Sequence, residues 1–197
     1  MNSSSPYHDK PQRDWRGITQ DLLRHYPLSP EDMVNASLES WKGIFDTGIG
    51  TEGFKIGKDI FPSPQMMGFF LHELIPLNLH AKYPNLWKKD IEVSEKDIIY
   101  IPDIKYSMEI KTSSHPDKIF GNRSYAQPAT STKKDKSGYY LAINFEKFSK
   151  NRNPRIRLIR FGWLDYTDWI GQRAATGQQA HLKPESESNK LLALFSL

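Results

Sequence analysis

The segment from residue 98 to residue 111 predicts two short apolar strands joined by a tight turn. Side chains alternate between the two faces of a strand, so Glu109 and Lys111 project from one face and their apolar neighbours from the other. If the strands pair antiparallel around Tyr106, Asp103 lies directly opposite Glu109, with Cβ atoms roughly 4.5–5.5 Å apart. The pattern therefore predicts two carboxylates and one lysine on the same face.

Two carboxylates at this separation repel each other, and a bound divalent cation relieves the repulsion. Mg²⁺ suits such a site because proteins bind it through one or two carboxylates together with water and phosphate oxygens. A lysine that points the same way can orient a water molecule or stabilise the charge that develops on a phosphate. The pattern predicts a Mg²⁺ site that hydrolyses phosphodiesters. The alternative is a solvated strand face, because an acid two residues before a lysine is common.

A third acid, Glu73, lies on a predicted helix earlier in the chain. A serine–proline pair opens this helix, which we expect from Gln65 to about Leu79 with a bend near Pro76. The helix is apolar on almost every side, so we expect it to be buried. A buried acid is costly unless it is paired or binds a cation. Glu73 is therefore either part of the metal site or the partner of a nearby lysine or arginine.

Positive charge is concentrated just after the acidic segment. From Lys105 to Arg160 the chain has 13 lysines and arginines against four acids, whereas the remainder has 14 against 19. A polyanion bound at the acidic segment would run past this basic part, which predicts nucleic-acid binding. The alternative is a solvated basic surface. Within a hydroxyl- and lysine-rich loop, we expect three side chains to donate to phosphate oxygens: Lys133, Lys134 and Lys136.

The last third of the chain offers further candidates for DNA contacts. Residues 139–145 and 155–161 predict two strands, and the arginines of the second either contact DNA or line the edge of a sheet. Residues 166–182 form a DNA-reading or dimer-forming segment, or else a polar surface helix, because glutamine suits adenine edges and arginine suits guanine. The remaining candidates for DNA contact are Arg123, Arg157, Arg160, Arg173, Gln178 and Gln179.

The chain contains no cysteine, which excludes disulfides and thiolate metal sites and favours a reducing cytoplasm. No window approaches the roughly 18 apolar residues of a membrane helix, and the first residues lack the apolar core of a secretory signal. We therefore expect no membrane partner. The length of 197 residues predicts a single domain, 14–197, and the polar character of residues 1–13 predicts a mobile N-terminal segment before it.

Pro102 and Asp103, followed by Glu109-Ile-Lys111, resemble the Pro-Asp…(Asp/Glu)-x-Lys signature of the restriction-endonuclease-like nuclease superfamily. The interval of five residues between the two acids is at the short end for this superfamily. Within the superfamily, the amino-acid sequence is most similar to those of the ScaI-type endonucleases. The segments that carry this similarity are Trp41–Gly48, Gly68–Pro76, Pro102–Ser113 and Arg160–Gly171.

The resemblance implies an α/β (α+β) three-layer fold, with a central mixed sheet of about five strands flanked by helices. It implies a Mg²⁺-dependent, type II site-specific deoxyribonuclease that cuts both strands of palindromic double-stranded DNA as a homodimer. A cognate DNA methyltransferase would belong to the same restriction system.

The resemblance also assigns roles to residues of the predicted site. Asp103 and Glu109 would hold Mg²⁺, with the backbone carbonyl of Ile110 as a further ligand. Lys111 would position and activate the attacking water, and Glu73 would assist at the metal. Two alternatives remain open from the sequence: a structure-specific DNA repair or recombination nuclease of the same fold, and a non-catalytic DNA-binding domain whose acids pair with lysines.

Overall fold

The computed structural model describes residues 5–128, 135–149, 153–174 and 176–197. Within them the regular elements follow in the order α1 Gln12–Arg24, α2 Pro30–Asp46, β1 Gly48–Ile49, β2 Phe54–Lys55, α3 Pro64–Lys82, β3 Trp87–Lys89, β4 Ile98–Tyr100, β5 Met108–Ser113, β6 Phe120–Asn122, β7 Gly138–Phe145, β8 Ile156–Leu164, β9 Trp169–Gly171, β10 Gln179–Leu182, α4 Pro184–Lys190 and β11 Leu191–Ser196. Short 3₁₀ turns cover Ile104–Tyr106, Arg123–Ala126 and Tyr166–Asp168.

A six-stranded sheet lies at the centre of the fold, in the order β11-β8-β7-β5-β4-β3. Strands β5 and β7 run parallel, whereas the other neighbouring pairs are antiparallel. The predicted mixed sheet is thus confirmed, with one strand more than the five expected. Parallel neighbours need a long crossover connection. Here that connection contains β6 and the Arg123–Ala126 turn.

The two faces of the central sheet are covered differently. One face packs against α1, α2 and α3, whose apolar side chains meet Met108, Ile110 and alternate residues of β7. The opposite face meets a second antiparallel sheet, in the order β6-β10-β9, together with the Arg123–Ala126 turn. The fold class is therefore as predicted, but a small sheet contributes to an outer layer where only helices were expected.

Serine–proline pairs begin both α2 and α3. The Ser29 side chain accepts a hydrogen bond from the backbone N–H of Asp32 at 3.0 Å, and Ser63 accepts one from Met66 at 3.4 Å. Each serine satisfies a backbone donor of the first turn that has no partner within the helix. The following proline fits there because its nitrogen has no hydrogen to donate.

Helix α3 differs from its prediction in exposure and length. It runs to Lys82, passing through Pro76, and it buries only the side that faces α2 and the sheet. Met66, Phe69 and Leu77 are about half exposed, at 48%, 54% and 49%. The prediction of a helix buried on every side is therefore wrong. Of the helices formed by the described residues, none combines the length and apolar character needed to cross a membrane.

The N-terminal part of the described chain is packed against the domain. Tyr7 is 4% exposed, belongs to the main core and shares a 2.8 Å hydrogen bond between its hydroxyl and that of Thr19. The predicted mobile segment 1–13 is wrong from Tyr7 onwards, since this residue anchors the chain to α1. Residues 1–4 lie outside the described residues.

The described residues between 166 and 182 form a turn and two paired strands, β9 and β10, which we call the hairpin, and not the polar helix that was one alternative. Strand β9 pairs with β10 antiparallel, with Gly171 opposite Ala180 and Ile170 opposite His181. Buried and exposed residues alternate along β10, where Ala180 and Leu182 face the core. This period of two indicates a half-buried strand.

A buried ion pair connects α4 to the turn that precedes β9. Lys190 Nζ lies 2.7 Å from Asp168 Oδ1, and both side chains are 5% exposed. Ser186 donates to the same carboxylate at 2.7 Å, and the Lys190 ammonium lies 4.4 Å from the ring centroid of Tyr7. This pair therefore holds together the N-terminal segment, α4 and the start of the hairpin.

We expect Lys190→Ala to lower the free energy of unfolding by about 3–5 kcal/mol, because it leaves the Asp168 carboxylate buried without its cation. Urea denaturation followed by circular dichroism measures this change. The control is Lys82→Ala, which removes a lysine paired at 2.7 Å with Asp32 but 55% exposed. Exposed pairs contribute little to stability. An equal effect of the two substitutions would contradict the importance of the buried pair.

Candidate active site

The pairing of β4 with β5 determines which acid faces Glu109. Ile98 pairs with Met108 in antiparallel register, and extending this register by one residue brings Asp97 opposite Glu109. Directly opposed residues of an antiparallel pair project from the same face. The backbone N–H of Ile110 donates to Asp97 Oδ2 at 2.6 Å, which fixes the carboxylate against β5. Asp97 and Glu109 therefore form the acidic pair of this sheet.

Asp103 lies outside this pair, so the prediction that it faces Glu109 is wrong. Strand β4 ends at Tyr100, and a 3₁₀ turn occupies the connection to β5. Asp103 caps this turn by accepting from the Lys105 N–H at 3.1 Å, and its carboxylate contacts Lys105 Nζ at 2.8 Å. The Lys105 hydrogen bond lowers the pKa of Asp103 below its ordinary value. Its charge is thus engaged locally, on the surface.

Glu109 and Lys111 project from one face of β5, as predicted. The Glu109 side chain is only 3% exposed and that of Lys111 13%. Lys111 Nζ lies 3.3 Å from Glu109 Oε1 and donates to the Ile110 carbonyl at 3.2 Å. The lysine thus supplies a positive charge to a carboxylate that burial would otherwise disfavour. It also lies against the backbone oxygen that was predicted to help bind the metal.

Tyr125 completes the surroundings of Glu109. Its hydroxyl donates to Glu109 Oε1, and its ring centroid lies 4.5 Å from the Nζ atoms of both Lys111 and Lys136. Burial, followed by the negative charge of Glu109, raises the pKa of Tyr125 far above its ordinary value. The hydroxyl therefore keeps its proton and acts as a donor to the carboxylate.

Glu73 does not join the acidic pair. Its carboxylate contacts Lys89 Nζ at 2.9 Å and is 35% exposed, so the structure shows the salt-bridge alternative. The α3 side chain next to Asp97 is His72, whose Nδ1 lies 3.5 Å from Asp97 Oδ2. Among the described residues, no three histidines or acids are grouped so that they could hold a metal ion. The structure thus places Glu73 with Lys89, and the prediction that it adds a third acid to the metal site gains no support from this arrangement.

A cleft of about 510 Å³ opens beside Lys111. Its walls come from β5, from the crossover segment and from the hairpin, and its lining residues are Lys111, Phe120, Gly121, Asn122, Tyr125, Gln172, Gln178 and Gln179. A neighbouring cavity of about 760 Å³ continues past the end of β5, with His72, Thr112, Lys147 and Gln179 among its lining residues. Lys111 and the hairpin glutamines thus line one cleft, and His72 lines the adjoining cavity.

Comparison with known proteins places the chain in a family. A model of the ScaI restriction endonuclease family matches residues 5–195. The chain belongs to the ScaI restriction endonuclease family. It is also similar to the type II restriction enzyme ScaI of Streptomyces caespitosus, with 51% identity over an alignment that covers 98% of this chain and 86% of that protein.

Membership of the ScaI restriction endonuclease family confirms the prediction of a site-specific restriction endonuclease, a hydrolase that acts on DNA. It also favours this prediction over the two alternatives from the sequence, the repair nuclease and the non-catalytic DNA-binding domain. Type II restriction endonucleases generally use a divalent metal ion, so the question for this family member is which residues could hold one.

The acidic pair fits such an ion by its chemistry. Asp97 and Glu109 offer carboxylate oxygens next to each other on the sheet. The Ile110 N–H donates to Asp97, and the Ile110 carbonyl accepts a hydrogen bond from Lys111. These are hard oxygen donors. Mg²⁺ commonly takes only one or two carboxylates and completes its shell with water and phosphate oxygens. A third acid is therefore not required.

The residues predicted to contact DNA differ in exposure and in their distance from the cleft. Gln178 and Gln179 are exposed and line the cleft, and Arg173 is exposed in the hairpin loop. Arg123 is half-buried and donates to the Ala174 carbonyl at 3.4 Å, and Lys136 lies beside Tyr125. Lys133 and Lys134 lie outside the described residues.

The two arginines of β8 differ sharply. Arg157 is exposed near the start of the strand. Arg160 is 8% exposed, contacts Glu187 at 3.2 Å and donates to Asn144 Oδ1 at 3.0 Å. The prediction that Arg160 contacts DNA disagrees with this position, because its guanidinium lies within the fold.

Sequence reasoning missed Asp97 and Tyr125. Asp97 carried a signal, since it directly precedes the apolar run that forms β4, and strand starts are positions where side chains reach the edge of a sheet. Tyr125 carried none, because a turn distant in sequence brings it to Glu109.

We expect Asp97→Asn to lower the rate of DNA cleavage by more than about 100-fold, because loss of a metal ligand should exceed the roughly 10- to 100-fold effect of losing a residue that supports a ligand. Asp103→Asn should cleave at the wild-type rate. Cleavage of plasmid DNA at saturating metal concentration measures both rates. The opposite order of the two variants would restore the prediction made from the sequence.

Proposed function

We propose that this restriction endonuclease cuts both strands of a palindromic DNA site by Mg²⁺-dependent hydrolysis. The observation that supports this most directly is the grouping of Asp97, Glu109 and Lys111 on one face of the sheet, beside a cleft that also contains exposed glutamines. Two acids and a lysine are the chemistry expected of a metal-dependent phosphodiesterase.

In this proposal the Asp97 and Glu109 carboxylates, together with the Ile110 carbonyl oxygen, hold the metal. When bound, Mg²⁺ would supply Lewis-acid stabilisation of the phosphate and lower the pKa of a bound water. The contact with Lys111 offsets the cost of burying the charged Glu109 carboxylate that a metal requires. The hydrogen bond from Ile110 N–H orients Asp97.

Lys111 has a separate role at the reacting phosphate. Its ammonium is held near the acidic pair by contacts of 3.3 Å to Glu109 and 3.2 Å to Ile110, and it lines the cleft. From there it can donate to a phosphate oxygen and orient the attacking water. A fixed positive charge next to developing negative charge stabilises the transition state more than the ground state.

The hairpin is the proposed DNA-reading element. A two-stranded β-ribbon fits the major groove, and glutamine amides can both donate to and accept from an adenine edge. Gln178 and Gln179 are suited to this role, with Arg173 beside them. Arg123, Lys133, Lys134, Lys136 and Arg157 are proposed to contact the phosphate backbone, where they would set affinity without reading sequence.

The proposal extends to assembly and biological setting. A homodimer with two-fold symmetry would place one active site on each strand of a palindrome. A cognate methyltransferase would protect the host's own sites, and the absence of cysteine agrees with a cytoplasmic enzyme.

Digestion of a sequenced plasmid with the purified protein tests this function. We expect discrete double-strand cuts in Mg²⁺, with 5′-phosphate and 3′-hydroxyl ends at one palindromic sequence, and no cuts in EDTA. Lys111→Ala should bind the same DNA in Ca²⁺ but fail to cut it in Mg²⁺. Cuts at DNA junctions or flaps, without a common sequence, would instead support a structure-specific nuclease.

A further inference from the structure

The Arg123–Ala126 turn contacts both Glu109 and the hairpin. On one side the Tyr125 hydroxyl donates to Glu109, and the Lys111 ammonium lies against the Tyr125 ring. On the other side, the backbone N–H of Arg123 donates to the Gln178 carbonyl at 2.7 Å. Only one residue separates Arg123 from Tyr125 in the sequence. The turn therefore joins the acidic pair to the proposed DNA-reading strand.

Neighbouring residues pack closely around the ring of Tyr125. A Cβ added at Gly121 would lie 2.9 Å from the Tyr125 ring, so glycine is needed for this close approach. Trp169 of the hairpin lies on another side, with ring centroids 5.2 Å apart, and Tyr125 is 5% exposed. The rotamer is thus fixed by packing against β6 and β9, and the hydroxyl is directed at Glu109.

Three connections reach the hairpin, two from the turn and one from β6, which precedes it. Besides the bond from Arg123 N–H to Gln178, the Arg123 guanidinium donates to the Ala174 carbonyl at 3.4 Å. Strand β6 pairs with β10, with Gly121 opposite Ala180. A displacement of β10 on DNA would therefore be transmitted to the turn and to the tyrosine that it carries.

We propose that Tyr125 is a positioning residue, which holds Glu109 in its metal-binding orientation and makes that orientation depend on the hairpin. This inference rests on the proposed function, because it takes Glu109 as the metal ligand and the hairpin as the DNA reader. Tyr125 itself contacts neither the phosphate nor the metal in this scheme. Its effect passes through Glu109 and Lys111.

Tyr125→Phe isolates the hydroxyl, because it keeps the ring and its packing. We expect turnover on the cognate site to fall by about 10- to 100-fold, the range found when a residue that orients a metal ligand is removed. KM for DNA should stay at the wild-type value, and the Mg²⁺ concentration for half-maximal rate should rise. Calorimetric titration of Ca²⁺ into the protein–DNA complex, in which no cleavage occurs, should show weaker binding.

The matched control is Tyr7→Phe. This substitution also removes a buried tyrosine hydroxyl with a hydrogen bond, here to Thr19 of α1 at 2.8 Å instead of to Glu109. It should lower thermal stability by an amount similar to that for Tyr125→Phe and leave turnover and Ca²⁺ affinity unchanged. A merely structural role for Tyr125 would make the two variants alike.

Gly121→Ala tests the packing of the Tyr125 ring without removing its hydroxyl. Because its methyl group displaces the Tyr125 ring, we expect the same loss of turnover and of Ca²⁺ affinity. We also expect Tyr125→Phe and Gly121→Ala to lose more activity on the cognate site than on a site with one changed base pair. Wild-type turnover and Ca²⁺ affinity in Tyr125→Phe, or equal losses on the two sites, would overturn the inference. Failure of the wild-type protein to cut any DNA would instead overturn the proposed function.

Discussion

The short antiparallel contact between β4 and β5 positions the whole acidic site. Only Ile98 and Met108 form a ladder pair, and the same register continued by one residue brings Asp97 opposite Glu109. The Asp97 carboxylate accepts a hydrogen bond from the Ile110 N–H at 2.6 Å. Just before the first residue of β4, this side chain thus bonds to a backbone donor of β5 that a longer strand would pair with its own backbone. A shift of this register by one residue would turn the acids towards the apolar core. The face that carries the acidic pair therefore depends on the packing that fixes the register.

That packing comes from the other side of the same strand. Met108 and Ile110 are fully buried beneath the helices, so the first half of β5 is anchored in the core on that face. Helix α3 can approach this closely because Gly68 faces Thr112, where an added Cβ would lie 2.5 Å from the threonine hydroxyl. Burial on one face thus holds Glu109 and Lys111 rigidly on the other. Preorganised charges of this kind need little rearrangement during the reaction.

Much of this site was predictable from sequence, and the errors have physical causes. Alternation along β5 correctly placed Glu109 and Lys111 on one face, and a serine–proline pair located the start of α3. The partner acid was misplaced because the connection after Tyr100 forms a 3₁₀ turn instead of extending the strand to Asp103. Sequence patterns report local conformation, whereas Tyr125 reaches Glu109 only through a parallel crossover. Arg160 was misread for the same reason, since its partners are distant in the chain.

The central claim is that Asp97 and Glu109, and not Asp103, hold the metal. Anomalous diffraction from crystals of the protein soaked in Mn²⁺ tests it most directly, because manganese also prefers oxygen ligands and scatters anomalously. The account predicts a peak within roughly 2.0–2.6 Å of carboxylate oxygens of both Asp97 and Glu109, distances typical of hard cations bound by oxygen. A peak coordinated by Asp103 or Glu73, with Asp97 outside the coordination shell, would contradict it.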